Sequence, residues 1–246
     1  MPLPSQSYTS NRLLNALTSE DFALLQPDLQ RVPLTLRQVL IEADTPIEHV
    51  YFLEGGVGSM IAVEEDGDEI EVGIFGDEGL CGIPVILRAG QTPARALMQI
   101  GGGTALRIEA AALDIACRQS SDLQAVLLRF VQTAIIQAAQ TAASNAHYAL
   151  AERLARWLLM CHDRIRGDEL ELTHEFMAIM LAVRRSSVTV TLHQLEGTRA
   201  IQARRGLVTV LDRARLEEIA GSSYGAPEAE YRRLIGPFGR SPTLPS

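Results

Sequence analysis

The sequence predicts an α+β fold in three parts: a roll of short antiparallel strands, one long helix, and a C-terminal helix-turn-helix followed by a wing. Three observations predict it. Residues 36 to 109 read as short strands separated by turn residues, residues 122 to 147 run without Pro or Gly, and residues 172 to 211 carry two amphipathic helices and then a short hairpin. The chain of 246 residues, 47% of them hydrophobic, supplies a core for two domains.

A short helical opening is expected around Asn11 to Leu25. In the β block, Val57, Ser59, Ile61 and Val63 alternate with small or apolar neighbours, an Asp66-Gly67 turn follows, and Ile70, Val72 and Ile74 alternate again. That pattern predicts a hairpin. Further strands fit Ala94 to Ile100 and Thr104 to Ile108, joined by Gly101-Gly102-Gly103, at the spacing of a double-stranded β-helix or jelly roll. The long helix from Asp122 to His147 is rich in Ala, Leu, Gln and Val. Leu127, Val131, Ala134, Ala138, Thr141 and Asn145 follow steps of four and three, a seam of small side chains suited to a second helix. The same helix reads equally as a core helix packed on its own roll, and the two readings are compatible if Leu128, Ile135 and Ile136 face the roll while the seam faces a partner. A second helix runs from Leu150 to about Ile165, with Asn145 and His147 near the junction.

Charge is divided unevenly along the chain. The formal net charge is −8, yet residues 1 to 149 carry 8 Arg against 18 acids while residues 150 to 246 carry 14 Arg against 12. Between 184 and 205 stand five arginines and one acid, Glu196, a local basic footprint of the kind that meets nucleic acid. The three cysteines, Cys81, Cys117 and Cys161, form no C-x-x-C pair, so neither a disulfide framework nor a cysteine-rich metal site is expected, and buried thiols are. The first dozen residues lack a signal peptide's basic start and apolar run, and no apolar stretch approaches a membrane span, so a cytoplasmic protein without a membrane partner is expected. A cupin-like metal enzyme needs a histidine cluster, but only His49 lies in the β block; with no G-x-S-x-G elbow or P-loop either, no catalytic residue and no metal are assigned.

The segment 172 to 196 breaks near Leu181 to Val183 into two helices. Thr173 caps the first, and Val188, Leu192 and Leu195 form the buried side of the second. Its other side offers Arg184, Arg185, Ser186, Ser187, Thr189 and His193 to a major groove, where arginine donates two bonds to guanine and Ser or Thr reads several bases. Ile201 to Ala203, Arg204-Arg205-Gly206 and Leu207 to Leu211 then read as a wing. Its arginines, with Arg199, meet phosphates, which position the protein without selecting sequence.

The order of roll, long helix, helix-turn-helix and basic hairpin resembles the Crp/Fnr family of transcriptional regulators over about residues 12 to 220. Residues 49 to 60, HVYFLEGGVGSM, resemble the family's early β-roll signature, and residues 76 to 96, GDEGLCGIPVILRAGQTPARA, resemble its phosphate-binding cassette. The resemblance implies a cyclic-nucleotide-binding-like, effector-binding β-roll over 10–120, a dimerisation helix over 121–147, a winged DNA-binding domain over 148–220 and a C-terminal tail over 221–246. It implies a homodimer that binds double-stranded DNA at an inverted repeat, with RNA polymerase as a further partner, and an effector near Gly76, Gly82, Ile83, Arg95 and Ala96.

Departures from the family pattern bear on that effector. Arg95 falls where the family's arginine holds a cyclic phosphate, and both a ligand-binding and a structural role are open to it. Ile83 stands after Gly82 where cyclic-nucleotide binders place a glutamate, Ala96 replaces the usual Ser or Thr, and Ala138 and Ala139 replace hydroxyls that touch the base. An apolar group leaves a ligand's hydroxyl unpaired, so cyclic AMP is disfavoured and a different small molecule, or none, is expected. The rival to DNA binding is a nucleotide- or metabolite-sensing module acting through a protein partner. The tail, with Pro227, Pro237, Pro242 and Pro245, is expected to be loosely ordered apart from a short helix around Glu228 to Leu234.

Overall fold

A computed structural model describes residues 3–63 and 69–240, so the Asp66-Gly67 turn and the last two prolines lie outside the described residues. The helical opening is two pieces, α1 (Arg12–Asn15) and α2 (Ser19–Leu25), because Asn11 and Thr18 each accept a backbone N–H and start a new helix. Eight strands follow: β1 (Gln30–Leu34), β2 (Val39–Ile41), β3 (His49–Leu53), β4 (Val57–Val63), β5 (Glu69–Phe75), β6 (Leu80–Cys81), β7 (Ala94–Ile100) and β8 (Gly103–Glu109). They form two antiparallel sheets, in the orders β1-β8-β3-β6 and β2-β7-β4-β5. The β4–β5 hairpin appears as the alternation requires, with Gly58 opposite Phe75 and Ser59 opposite Ile74. The glycine run after Ile100 carries the chain from one sheet to the other, so β7 and β8 do not pair with each other.

Between β6 and β7 the helix α3 (Ile83–Ile86) begins with Pro84 in its first turn, and α4 (Ala110–Gln119) leads to α5 (Ser121–His147), whose 27 residues start at the expected place because the Ser120 hydroxyl accepts the Leu123 amide. The roll core joins Phe52, Leu80, Met98 and Leu106 to Leu123, Leu127, Phe130 and Val131 of α5. This overturns the first register of the helix seam. Leu127 and Val131 are buried in their own roll, Ala134 lines a cavity, and Thr141 accepts a hydrogen bond from Arg156, so of the six only Ala138, at the rim of that cavity, and Asn145 are exposed. Leu128 and Ile135, expected inward, are 42% and 58% exposed. The exposed stripe is Leu128, Gln132, Ile135, Ala139, Ala142 and Ala146, one residue along from the expected one and with the same steps of four and three.

The C-terminal part consists of α6 (Leu150–His162), β9 (Glu169–Leu170), α7 (His174–Met180), α8 (Arg185–Gly197), β10 (Ile201–Arg204), β11 (Leu207–Val210) and α9 (Arg213–Ala220). Its core gathers Leu154, Trp157, Leu158, Met177, Val188, Leu192 and Leu216, and it includes Val57, Ile61 and Ile74 from the outer face of the second sheet. A buried polar knot crosses that contact. The Trp157 indole N–H donates to Glu71 Oε1 at 2.8 Å, and Ser59 and Gln99 donate to Glu71 Oε2 at 2.6 and 3.1 Å. Burial pushes the Glu71 carboxyl up to about 7 despite these donors.

The tail departs from its expected looseness. After α9 comes α10 (Ala226–Leu234), packed on α5, with Tyr231 and Phe238 only 2% and 6% exposed. Two aromatics with an apolar bed to fill outweigh the prolines, one of which, Pro227, sits in the first turn of α10 where its missing N–H costs nothing. All three cysteines are buried free thiols. Among the described residues no helix is long and apolar enough to cross a membrane.

Candidate nucleic-acid interface and effector cavity

The Thr173 hydroxyl accepts the Phe176 amide and starts α7, and the turn to α8 passes through Ala182 at φ 51. Val188, Leu192 and Leu195 pin α8 against the domain core at 0 to 1% exposure. The opposite face is thereby fixed outward. Arg184, Arg185, Ser186, Val190, His193 and Gln194 are exposed along it. Thr189 is half-buried, sharing a hydrogen bond with the His174 ring at 2.9 Å and donating back to the Arg185 carbonyl, and Ser187 is half-buried, its backbone carbonyl accepting the Thr191 hydroxyl. These two sit at the edge of the face.

The wing is β10 and β11, closed by Arg205-Gly206, with Gly206 at φ 76, a conformation that favours glycine. Glu196 ties helix to wing: one carboxylate oxygen accepts the Ala203 amide at 2.8 Å and the other pairs with His193 at 3.0 Å. Sequence reasoning missed this role, reading Glu196 only as the lone acid of a basic segment. A groove lined by Thr173, Arg185, His193, Arg204 and Arg205 runs between the two elements. Arg184, Arg199, Arg204 and Arg205 are exposed and form no ion pair among the described residues, while Arg185 has only Glu175 at 3.8 Å, both side chains 69% exposed. Cations placed so are available to phosphates and base edges.

The roll holds the second feature, a cavity of about 180 Å³ between the second sheet, α3 and α5. Gly82, Ile83 and Ala96 are among its lining residues. Gly82 at φ 128 lies against Val50, where a Cβ would approach within 2.8 Å. Gly76 does not line the cavity; it makes room for Arg164, whose Cγ would stand 2.9 Å from any added Cβ. Arg95 also falls outside the lining. Ala94 and Ala96 face the cavity, and the two-residue period of β7 sends the intervening side chain to the other face of the sheet. The arginine that does reach the cavity is Arg164, from the loop after α6, held by Glu78 Oε1 at 2.7 and 2.8 Å and by its own donation to the Met160 carbonyl.

Residues 152–219 match the model of the Crp-like helix-turn-helix domain. The global nitrogen regulator of Synechocystis sp. is 26% identical over 215 residues, 83% of this chain and 94% of that protein, and that of Nostoc sp. is 26% identical over 176 residues, 67% and 78%. The matched domain and these relatives support reading the chain as a transcriptional regulator of the Crp/Fnr family. It is a DNA-binding regulator of that type. The fold agrees: a Crp/Fnr-family regulator from Eubacterium rectale superposes with a TM-score of 0.67 at 19% identity, covering 86% of this chain and 98% of that one, and a CRP-family regulator from Thermus thermophilus superposes at 0.66 and 22%, covering 79% and 99%. Among the described residues no three His, Cys, Asp or Glu side chains cluster as a metal site.

Proposed function

We propose that this Crp/Fnr regulator works in the cytoplasm as a homodimer that reads an inverted repeat and carries no catalytic site. The observation that carries the reading is the outward face of α8, whose arginines are exposed beside a wing whose own arginines form no ion pair among the described residues. Arg184, Arg185, Ser186 and His193 enter the major groove, with Ser187 and Thr189 at its edge. Thr173, Arg199, Arg204 and Arg205 meet the backbone. The domain limits follow the same division: an effector-binding roll over 10–120, the pairing helix over 121–147, the reading head over 148–220, and a tail over 221–246.

The pairing surface is the exposed stripe on α5. Leu128 and Ile135 are large apolar groups left open to solvent, and Ala139, Ala142 and Ala146 let a second helix approach closely. A two-fold pair of reading heads meets half-sites about 10 base pairs apart. RNA polymerase is the further partner of a regulator placed at a promoter. Selection of random duplexes by the purified protein tests this. The proposal expects an enriched inverted repeat, and an enriched single half-site or no enrichment in the presence of cell extract contradicts it.

A further inference from the structure

The cavity in the roll has a built-in selectivity, and the C-terminal segment forms one of its walls. Most of the lining is apolar, from residues such as Met60, Ile74, Phe75, Leu80 and Phe130. Its polar groups are largely spent within the protein. The Gln137 carbonyl oxygen accepts the Ile74 amide, Thr133 donates to the Phe130 carbonyl, and the Tyr231 hydroxyl donates to the Glu78 carbonyl. Arg164, the one cationic side chain lining it among the described residues, is committed to Glu78 and lies 5.0 Å from the Phe238 ring centroid. Glu78 is different. Both contacts from Arg164 go to Oε1, and Oε2 is buried without a hydrogen-bond partner.

An anion finds no free cation in such a wall, and a second carboxylate, Glu228, faces it. A charged ligand of either sign loses its hydration to an apolar enclosure. An uncharged apolar body is accepted at no such cost, and a single N–H or O–H on it supplies the missing partner of Glu78 Oε2. The volume, about 180 Å³, suits a small aromatic of one ring or two fused rings, since apolar cavities of about 150 Å³ already take benzene.

Pro227, Glu228, Tyr231 and Phe238 close the cavity from the tail. The same segment reaches on to the reading head. Arg240 donates to the carbonyls of His162 and Ile165 at 3.2 Å each, and to Asp168 at 2.7 Å, in the loop that joins α6 to the wing sheet. Resting on the reading of the roll as an effector module, we propose that this cavity binds a small uncharged apolar molecule carrying one hydrogen-bond donor, and that residues 226–240 are its lid and its link to the DNA-binding domain.

Titration calorimetry on the full chain with indole, toluene, benzoate, benzylamine and cyclic AMP tests the class. Indole binds about tenfold more tightly than toluene, the worth of one added hydrogen bond, and the three charged probes bind more weakly than either. Ala134→Phe, which fills the cavity, abolishes indole binding. Ala138→Leu, at an exposed position on its rim, does the same if the first variant does not fold. Indole also slows amide exchange across 226–240. Absence of indole binding, tighter binding of a charged probe, indole binding unchanged by the filling variants, or unchanged exchange in the tail overturns the proposal. DNA affinity measured on the same samples separates that failure from failure of the DNA-reading dimer.

Discussion

The arginines of the reading head and the arginine of the roll cavity are the same side chain used in opposite ways. Arg184, Arg204 and Arg205 are exposed and form no ion pair among the described residues, whereas Arg164 is buried and held by Glu78 and a backbone carbonyl. A cation kept solvated and uncommitted retains its full interaction for an outside partner. A cation buried against a carboxylate has already spent it, and its removal strands the partner. On the proposed reading, charge therefore marks the DNA surface in this chain and marks structural support in the roll.

The largest effect that sharpens this contrast belongs to the buried pair. Arg164→Ala leaves Glu78 uncompensated and lowers stability by about 3–5 kcal/mol, read by chemical denaturation. The two registers of α5 give the next contrast. Leu127→Ala costs about 2–5 kcal/mol of stability by opening a core cavity, whereas Ile135→Asp leaves the monomer folded and shifts sedimentation toward half the mass. A dimer that survives Ile135→Asp breaks the assignment of the exposed stripe.

The Glu71 knot predicts a pH dependence. Its carboxyl is pushed up from 4.5 to about 7, so between those values the folded protein holds a proton that the unfolded chain has released. Stability is then greatest below pH 4.5 from this group, falls as pH rises through 7, and is level above, a span of about 3 kcal/mol. Asp77, raised to about 6, acts in the same direction. Glu71→Gln removes the Glu71 component, and denaturation curves from pH 5 to 8 for the two proteins give the difference. Identical slopes contradict it.

Much of this was legible in the sequence, and the reasons are physical. The helix-turn-helix announced itself because Thr173 caps where the apolar period of 3.6 begins, and the wing because Arg205-Gly206 interrupts two alternating runs. The seam was readable only to within one residue. An alanine-rich helix offers two parallel stripes with the same steps, and burial of Leu127 rather than Leu128 is decided by the roll. The resemblance left Arg95 between a ligand-binding and a structural role, and its own strand leans toward the second, since small apolar Ala94 and Ala96 on either side line the cavity. The ordered tail left a weaker signal, Tyr231 and Phe238 seven residues apart among prolines and arginines, and the acceptors for Arg240 belong to a loop more than 70 residues earlier.

The smallest effects on fold carry the most information about function. Arg185→Ala and Arg205→Ala leave stability unchanged, being exposed, so binding differences report contact with DNA alone. The most direct measurement is the affinity of the wild type and these two variants for the selected duplex and a scrambled one across a salt series. Arg185→Ala costs about 1–3 kcal/mol on the selected site and little on the scrambled one, while Arg205→Ala weakens both alike and reduces the salt slope by about 1. Equal losses from both variants on both duplexes, or no loss from either, contradict a recognition helix that reads bases beside a wing that grips phosphates.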